Sequence, residues 1–275
     1  LVALAFVAGC SSRKSELVLA VGGAPHEVAF WGELVEEFTD ETGIAVRLER
    51  QPTDTDLRRQ SLVFTLKSGQ PDPDVFLMDI AWVGQFAASG WLAPLDRERL
   101  DADAFFRSVV EASDVHGGEL VGLPVYVDAG LLYYRKDLLQ ALGHDGPPAT
   151  WSELVRWSQA AQAEERPENP EFYGYVWQGA QYEGLICNFL EAAASAGGGF
   201  LNSRGEVRLN SEPNRKALSL MADLIHDHAV SPPNTYTEMK EEEVRQYFQS
   251  GQALFQRNWP YAWALHQGAD SPVRG

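Results

Sequence analysis

The beginning of the chain alternates short apolar strands with an amphipathic helix, and this alternation restricts the fold more than any other feature. Leu17–Val21 is predicted to be a strand that a glycine pair ends. Pro25 then opens a helix with apolar residues at near-helical spacing, which Gly43 closes. Residues 44–48 predict the next strand. A strand–helix–strand unit of this kind favours a parallel sheet with a right-handed crossover.

The same alternation continues along the rest of the chain. Thr150-Trp151-Ser152-Glu153 has the pattern of a capping box, in which the threonine side chain and the glutamate each satisfy a backbone N–H. The other predicted elements are strands at 74–79, 120–127 and 252–256, and helices through 62–66 and at 82–88, 182–196, 212–228 and 241–250. The predicted class is therefore α/β, and 275 residues suggest two domains.

The first ten residues are typical of the end of an export signal. Residues 1–8 are apolar, too few for a membrane span of roughly 20 residues. They match the apolar region of a signal peptide, with small residues before the cleavage point. Val7-Ala8-Gly9-Cys10 also resembles a bacterial lipobox. We therefore predict a signal-peptide remnant at 1–9, a lipid on Cys10 and a tether at 10–16; the alternative is a buried N-terminal strand or helix.

Charge and cysteine content exclude several kinds of partner. The net charge of −17 argues against a nucleic-acid partner. The acidic residues, including the cluster 241–243, indicate a solvated surface and lack the spacing of a calcium loop. If Cys10 carries lipid, Cys187 is single, which leaves no disulfide and no cysteine-based metal site. The glycines before Pro25 lack dinucleotide-binding spacing. We predict no metal and no cofactor.

Chemically active side chains follow several of the predicted strands. In open α/β sheets, ligands bind beyond the carboxyl ends of the strands. Carboxylates accept hydrogen bonds from hydroxyl groups, and aromatic rings present flat apolar faces. Together these groups predict a carbohydrate pocket. The residues at these positions are Glu27, Asp79, Tyr126, Asp128, Trp259 and Tyr261.

Each of these residues also has a purely structural interpretation. Asp79 can cap the helix that follows it, and Asp128 can be a turn residue. Glu27 lies in a first helical turn, where the helix dipole favours an acid. Arg58, at a polar helix start, can be a surface charge. The two aromatic residues can close a hydrophobic core.

Several stretches together resemble one protein family. VGGAPHEVAFW (21–31), TDTDLRRQ (53–60), MDIAW (78–82), VYVDAG (125–130) and RNWPYAW (257–263) are similar to solute-binding proteins of ABC importers, in their trehalose/maltose-binding branch. The resemblance implies the two-lobed periplasmic-binding-protein fold of class II type, with lobes that close over a sugar. Its lobes would be 17–127 and 128–257, with a return crossing at 258–275. Because the family is longer, it also implies a fold truncated at the C-terminus.

The resemblance further implies a function without catalysis. The ligand would be a disaccharide held by Glu27, Arg58, Asp79, Tyr126, Asp128, Trp259 and Tyr261. The protein would lie at the periplasmic or extracellular face, anchored in the membrane by the lipid on Cys10, and would deliver sugar to the transmembrane subunits of an ABC permease.

Two other functions share the same residues. A glycoside hydrolase would need two carboxyl groups roughly 5 to 9.5 Å apart, for which Asp79 and Asp128 are candidates. A lipoprotein that presents a bound sugar to a sensor would use the same pocket.

Overall fold

The computed structural model describes residues 16–23, 25–202 and 204–275. They form two compact units, a first unit that ends at Tyr126 and a second unit, Val127–Gly275. Residues 258–275 belong to the second unit. The return of the chain to the first lobe in this segment therefore remains a prediction. The predicted signal-peptide remnant, Cys10 and all of the tether except its last residue lie outside the described residues.

The first unit contains the predicted strand–helix–strand arrangement. Strand β1 (Leu17–Val21), helix α1 (Pro25–Thr42) and strand β2 (Val46–Arg50) follow one another, and the two strands pair in parallel. Strand β3 (Val75–Phe76) pairs with the other side of β1, also in parallel. The strand predicted at 74–79 is shorter than expected, and Asp79, the last residue of the prediction, instead caps the next helix.

Aromatic side chains form the core of the first unit. Phe86 is fully buried, and its ring lies 5.5 to 6.1 Å from the rings of Phe76, Trp82 and Trp91. The remaining elements of this unit are α2 (Thr55–Lys67), α3 (Ile80–Ala88), the short turns Ala102–Ala104, α4 (Arg107–Val109) and Val110–Asp114, and the hairpin strands β4 (Val115–His116) and β5 (Glu119–Leu120).

The strand predicted at 120–127 is wrong. Strand β5 ends at Leu120, and residues 121–130 have no regular secondary structure. Pro124 has no backbone N–H to donate to a neighbouring strand. Leu120 and Leu123 still pack in a small core cluster, but Tyr126 and Val127 are 63% and 62% exposed, so the second half of this apolar run is not buried. Tyr126 and Asp128 therefore lie in an extended connection and do not follow a strand.

The second unit is built on a mixed three-stranded sheet. The order is β6 (Leu131–Tyr134), β8 (Ala253–Asn258) and β7 (Tyr173–Val176). Strand β8 is antiparallel to β6 and parallel to β7, and all six of its residues are buried. Strand β8 confirms the prediction at 252–256, whereas β6 and β7 were not predicted.

Helices surround the sheet of the second unit. They are α5 (Lys136–Ala141), α6 (Trp151–Glu165), α7 (Glu183–Ser195), α8 (Glu212–Ile225), α9 (Glu241–Gln249) and α10 (Tyr261–His266), with a 3-10 turn at Pro233–Tyr236. The helices predicted at 182–196, 212–228 and 241–250 are confirmed, with ends that differ by at most three residues. Both units therefore combine strands with helices, as the sequence predicts.

Helix α6 begins with the predicted cap. Thr150 Oγ1 accepts a hydrogen bond from the Glu153 N–H at 3.2 Å. Glu153 accepts one from the Ala149 N–H at 2.8 Å, one residue earlier than in the standard capping box. The two side chains thus satisfy N–H groups that the helix itself leaves without a partner.

Thr150→Ala is expected to destabilise the second unit by about 1 kcal/mol, because alanine cannot accept the Glu153 N–H. Urea unfolding of the parent and the variant measures this difference. Ser152→Ala is the matched control, since Ser152 is exposed in the same helical turn. Equal losses in the two variants would contradict a capping role for Thr150.

Candidate functional site

Two glycines follow β1 and leave space for two of the predicted ligand-binding side chains. A Cβ atom built on Gly22 would lie 2.3 Å from Arg58 Nε, and one built on Gly23 would lie 2.8 Å from Glu27 Oε2. Gly23 also has φ of +137°, which residues with side chains rarely adopt. The glycine pair therefore allows Glu27 and Arg58 to approach the carboxyl end of β1.

The loop before α2 fixes the guanidinium of Arg58. Its Nε donates to the Pro52 carbonyl and its Nη2 to the Thr53 carbonyl, both at 3.2 Å. Thr53 Oγ1 donates in turn to the carbonyl of Gly23 at 3.2 Å. A guanidinium held in this way retains N–H groups that can donate to a ligand hydroxyl.

Asp79 is the N-cap of α3. Its backbone is extended, and its Oδ1 accepts a hydrogen bond from the Ala81 N–H at 2.9 Å. The structural interpretation of this residue is therefore correct. A carboxylate has two oxygens, however, and within the described chain only Oδ1 accepts a hydrogen bond. Capping and ligand binding are compatible at Asp79.

Asp128 and Tyr126 lie on the exposed connection that precedes β6. Both residues are exposed. Burial raises the pKa of the nearby Tyr133 hydroxyl, and the charge of Asp128 adds to that rise. Tyr133 in turn donates a hydrogen bond to the Trp259 carbonyl at 2.7 Å. Asp128 is thereby placed on the same side of the second unit as the loop after β8.

The aromatic loop after β8 is attached to the first turn of α9. Trp259 Nε1 donates to Glu241 Oε1 at 3.4 Å, and the Tyr261 hydroxyl donates to Glu242 Oε1 at 2.9 Å. The acidic cluster 241–243 was predicted to be a solvated surface. This prediction is wrong for Glu241 and Glu242, which are half-buried against the two aromatic rings.

The Tyr261 hydroxyl stays protonated, and the backbone at Trp259 is held by a hydrogen bond. Burial, reinforced by the hydrogen bond to Glu242, raises the pKa of the Tyr261 hydroxyl above its usual value, so this group remains a donor. Asn258 Oδ1 accepts the Trp259 N–H at 2.8 Å, which holds the backbone of the loop. Trp259 and Tyr261 remain half-buried, so part of each ring is accessible.

A charged side chain that sequence analysis missed lies against the indole. The Arg257 guanidinium carbon is 3.8 Å from the centre of the Trp259 ring, the geometry of a cation–π contact. The sequence does contain one indication of this role, because a charged residue within an apolar strand needs a partner.

The structure therefore brings predicted residues together within each unit. Glu27 and Arg58 both lie beside the glycine pair at the end of β1 in the first unit, and Trp259 and Tyr261 lie at the junction of β8 and α10 in the second. Among the described residues, no group of three or more His, Cys, Asp or Glu side chains could hold a metal ion. No helix in the same residues is long and apolar enough to cross a membrane.

Known proteins that are similar to this chain are described as solute-binding or transporter-binding proteins. The family described as bacterial extracellular solute-binding protein matches residues 23–274. A protein of Deinococcus radiodurans named "Probable ABC transporter-binding protein" is 37% identical over 241 residues, which are 87% of this chain and 56% of that protein.

Solved structures extend the similarity to the fold. The maltose-bound T. maritima MalE3 protein superimposes with a TM-score of 0.87 at 38% identity, over 94% of this chain and 65% of that one. A Thermotoga lettingae solute-binding protein with bound α-D-tagatose gives a TM-score of 0.81 at 26% identity, with the same two coverages. This chain thus spans between half and two thirds of the length of these relatives.

Proposed function

Because the chain belongs to the bacterial extracellular solute-binding proteins, we propose that it captures a disaccharide of the maltose or trehalose type and delivers it to the permease of an ABC importer. The ligand would contact Glu27, Arg58, Asp79, Tyr126, Asp128, Trp259 and Tyr261. No chemical step is assigned to the protein, and no cofactor.

The position of the Trp259 ring is the observation that carries this proposal. The indole follows a fully buried strand, is held by Glu241 at its nitrogen, and remains partly accessible. A large apolar face held by rigid neighbours fits the C–H face of a pyranose. The maltose bound to the T. maritima relative, at 38% identity, supports a ligand of the same class.

In this proposal, polar groups of the first unit would donate to and accept from the sugar hydroxyls. Arg58 provides oriented donors, while Glu27 and Asp79 provide carboxylate acceptors. Sugar hydroxyls both donate and accept, so a mixture of these groups can satisfy them. Such a set favours a neutral polyol over a charged ligand, because acceptors and donors of both charges are present.

Calorimetric titration of the intact protein with maltose, trehalose, sucrose and glucose tests the proposal, with each mixture checked for released glucose. Saturable binding of one disaccharide without products would support it. Released glucose would instead favour a hydrolase, with Asp79 and Asp128 as its candidate carboxyl groups. A sugar-presenting sensor would bind without turnover, and would capture a receptor in place of a permease in a pull-down.

Export and membrane attachment form a second part of the proposal. A lipid on Cys10 would hold the protein at the periplasmic or extracellular face, close to its permease. The apolar residues 1–8 and the small residues before Cys10 support this. The intact mass of the protein extracted from membranes, compared with that of Cys10→Ser, measures whether a lipid is attached.

Asp79→Ser is expected to weaken disaccharide binding by about 1.5–3 kcal/mol, because a charged acceptor is lost. Serine is as good an N-cap as aspartate, so the stability of α3 should be retained. Asp79→Ala should lose both the affinity and about 1 kcal/mol of stability. Calorimetry and urea unfolding of the two variants separate the roles. Parent-like sugar affinity in Asp79→Ser would leave Asp79 with a capping role alone.

A further inference from the structure

Arg257 is a buried charge at the centre of the second unit. The residue is 3% exposed and lies in β8, which has a strand on each side. Removing a guanidinium from water is costly unless its charge and its N–H groups find partners. The partners of Arg257 therefore indicate what this residue is held in place to do.

Helix α7 and the segment before it provide those partners. Glu191 binds the guanidinium through two oxygens, with Nε–Oε2 at 3.2 Å and Nη2–Oε1 at 2.5 Å. Nη1 donates to Gln178 Oε1 at 3.2 Å. Gln178 is itself fixed, since its amide donates to the Arg257 carbonyl and its oxygen accepts from Asn188. The plane of the guanidinium is thus set by three of its nitrogens.

The connection before β6 passes close to this ion pair. A Cβ atom on Gly130 would lie 2.1 Å from Glu191 Oε1 and 2.5 Å from Arg257 Nη2. Any side chain at this position would therefore displace one of the two partners. Asp128, a proposed sugar ligand, lies two residues earlier on the same connection. The ion pair therefore lies against the connection that carries Asp128.

The same guanidinium covers one face of the Trp259 indole. The contact distance of 3.8 Å leaves no room for another group between them. Glu241 holds the indole nitrogen at 3.4 Å, so the ring is restrained at one face and at one edge. The face opposite Arg257 is therefore the face of the ring that these two contacts leave for a ligand.

We propose that Arg257 and Glu191 are positioning residues for sugar binding, which hold the Trp259 ring in its binding orientation before the ligand arrives. The inference rests on the proposed function, since the opposite face of the ring is the face that would receive the sugar. Sugar binding then carries no entropy cost for ordering the tryptophan side chain, because this side chain is already ordered in the folded protein.

Glu191→Gln tests this role. The Glu191 side chain is 42% exposed, so glutamine can be accommodated, but it offers one acceptor oxygen where the guanidinium uses two. We expect the affinity for the disaccharide to fall about 3- to 10-fold, the cost of ordering one side chain on binding. The matched control is Glu212→Gln, because Glu212 pairs with Lys216 on the exposed surface of α8 and its loss should not change the affinity.

A spectroscopic measurement separates positioning from general destabilisation. The intact protein is labelled with 5-fluorotryptophan, and the Trp259 signal is assigned by its absence in Trp259→Phe. In the sugar-free protein, Glu191→Gln should shift or broaden the ¹⁹F resonance of Trp259, whereas Glu212→Gln should leave it in place. Glu191→Gln should also lower the melting temperature, because it leaves the buried guanidinium without its counter-charge, so the spectra are compared at a temperature at which both proteins are folded.

Gly130→Ala is a second variant that alters neither Trp259 nor the ion pair chemically. It should produce the same change of the Trp259 resonance and a similar loss of affinity. Gly146→Ala is its control, since a Cβ there meets no atom within 4 Å.

An unchanged Trp259 resonance in both Glu191→Gln and Gly130→Ala would overturn the inference. A shifted Trp259 resonance together with a sugar affinity within about twofold of the parent would also overturn it. Loss of the ring's orientation would then carry no cost for ligand binding. If the parent binds none of the sugars, the proposed function fails, and the resonance alone decides whether Arg257 and Glu191 hold the ring.

Discussion

Replacing Trp259 with alanine is expected to weaken disaccharide binding by about 2–4 kcal/mol, roughly a 30- to 1,000-fold loss of affinity. Aromatic anchors that are held in place before binding contribute most to such sites, because they bury a large apolar area at little entropic cost. Removal of the ring also uncovers the Arg257 guanidinium, which would gain water and have to lose it again when the ligand binds. Calorimetric titration of the intact variant measures the loss.

Trp263→Ala is the matched control for this prediction. Trp263 lies in α10, four residues beyond Trp259, and is 58% exposed. Its truncation removes an indole of the same size from the same region, so equal effects of the two substitutions would point to a disturbed loop. A Trp259→Ala affinity within about 0.5 kcal/mol of the parent would refute stacking on this ring.

The first unit shows which parts of the fold a sequence determines locally. The turn between β1 and α1 uses a glycine pair and a proline at the first helical position, and both act through the backbone of their own residues. The parallel pairing of β1 and β2 follows from the helix between them. These features could be predicted because they require no distant partner.

The connection at 121–130 shows why a local pattern can also mislead. The apolar run from Leu120 onward is typical of a buried strand, but a strand needs a neighbour with which to exchange backbone hydrogen bonds. Pro124 removes one of those donors, and the described residues provide no partner strand beyond Leu120. Similarly, β6 and β7 have only four residues each, too few for a clear periodicity.

Part of the candidate site could be located from strand ends, and the rest depends on contacts between distant residues. Trp259 and Tyr261 stand out in the sequence because aromatic residues follow a strand. Glu191 lies 66 positions from Arg257, and nothing in its own helix distinguishes it from a solvated acid. Glu241 and Glu242 were assigned to a solvated surface for the same reason, since a helix N-terminus favours acidic residues whatever they contact.

Acidification is expected to destabilise the second unit by roughly 2–3 kcal/mol through one buried imidazole, His266. The side chain is 2% exposed, and its Nδ1 has no hydrogen-bond partner among the described residues. Burial, together with the positive charge of Arg245 and against the opposing charge of Glu242, lowers the pKa of His266 to about 4. In the unfolded chain the pKa returns to about 6.5.

The direction of the effect follows from which state binds the proton. Above pH 6.5 the imidazole is neutral in both states and has no effect on stability. Between about 6.5 and 4 the unfolded chain takes up a proton that the folded protein refuses, so the free energy of unfolding falls as the pH falls. Below about 4 both states are protonated and the loss is complete.

His266→Gln removes this titration while its amide can still donate to Gln256 Oε1, the atom that lies 3.0 Å from His266 Nε2. Urea unfolding from pH 7 to pH 4 should therefore show a smaller loss of stability in the variant than in the parent, by roughly 2–3 kcal/mol. Subtracting one curve from the other removes the contribution of the carboxylates, because they titrate in both proteins. His226→Gln, an exposed histidine at the end of α8, is the control and should retain the parent's pH dependence. Parallel curves for His266→Gln and the parent would mean that water reaches the imidazole in the folded protein, and that burial does not control its charge.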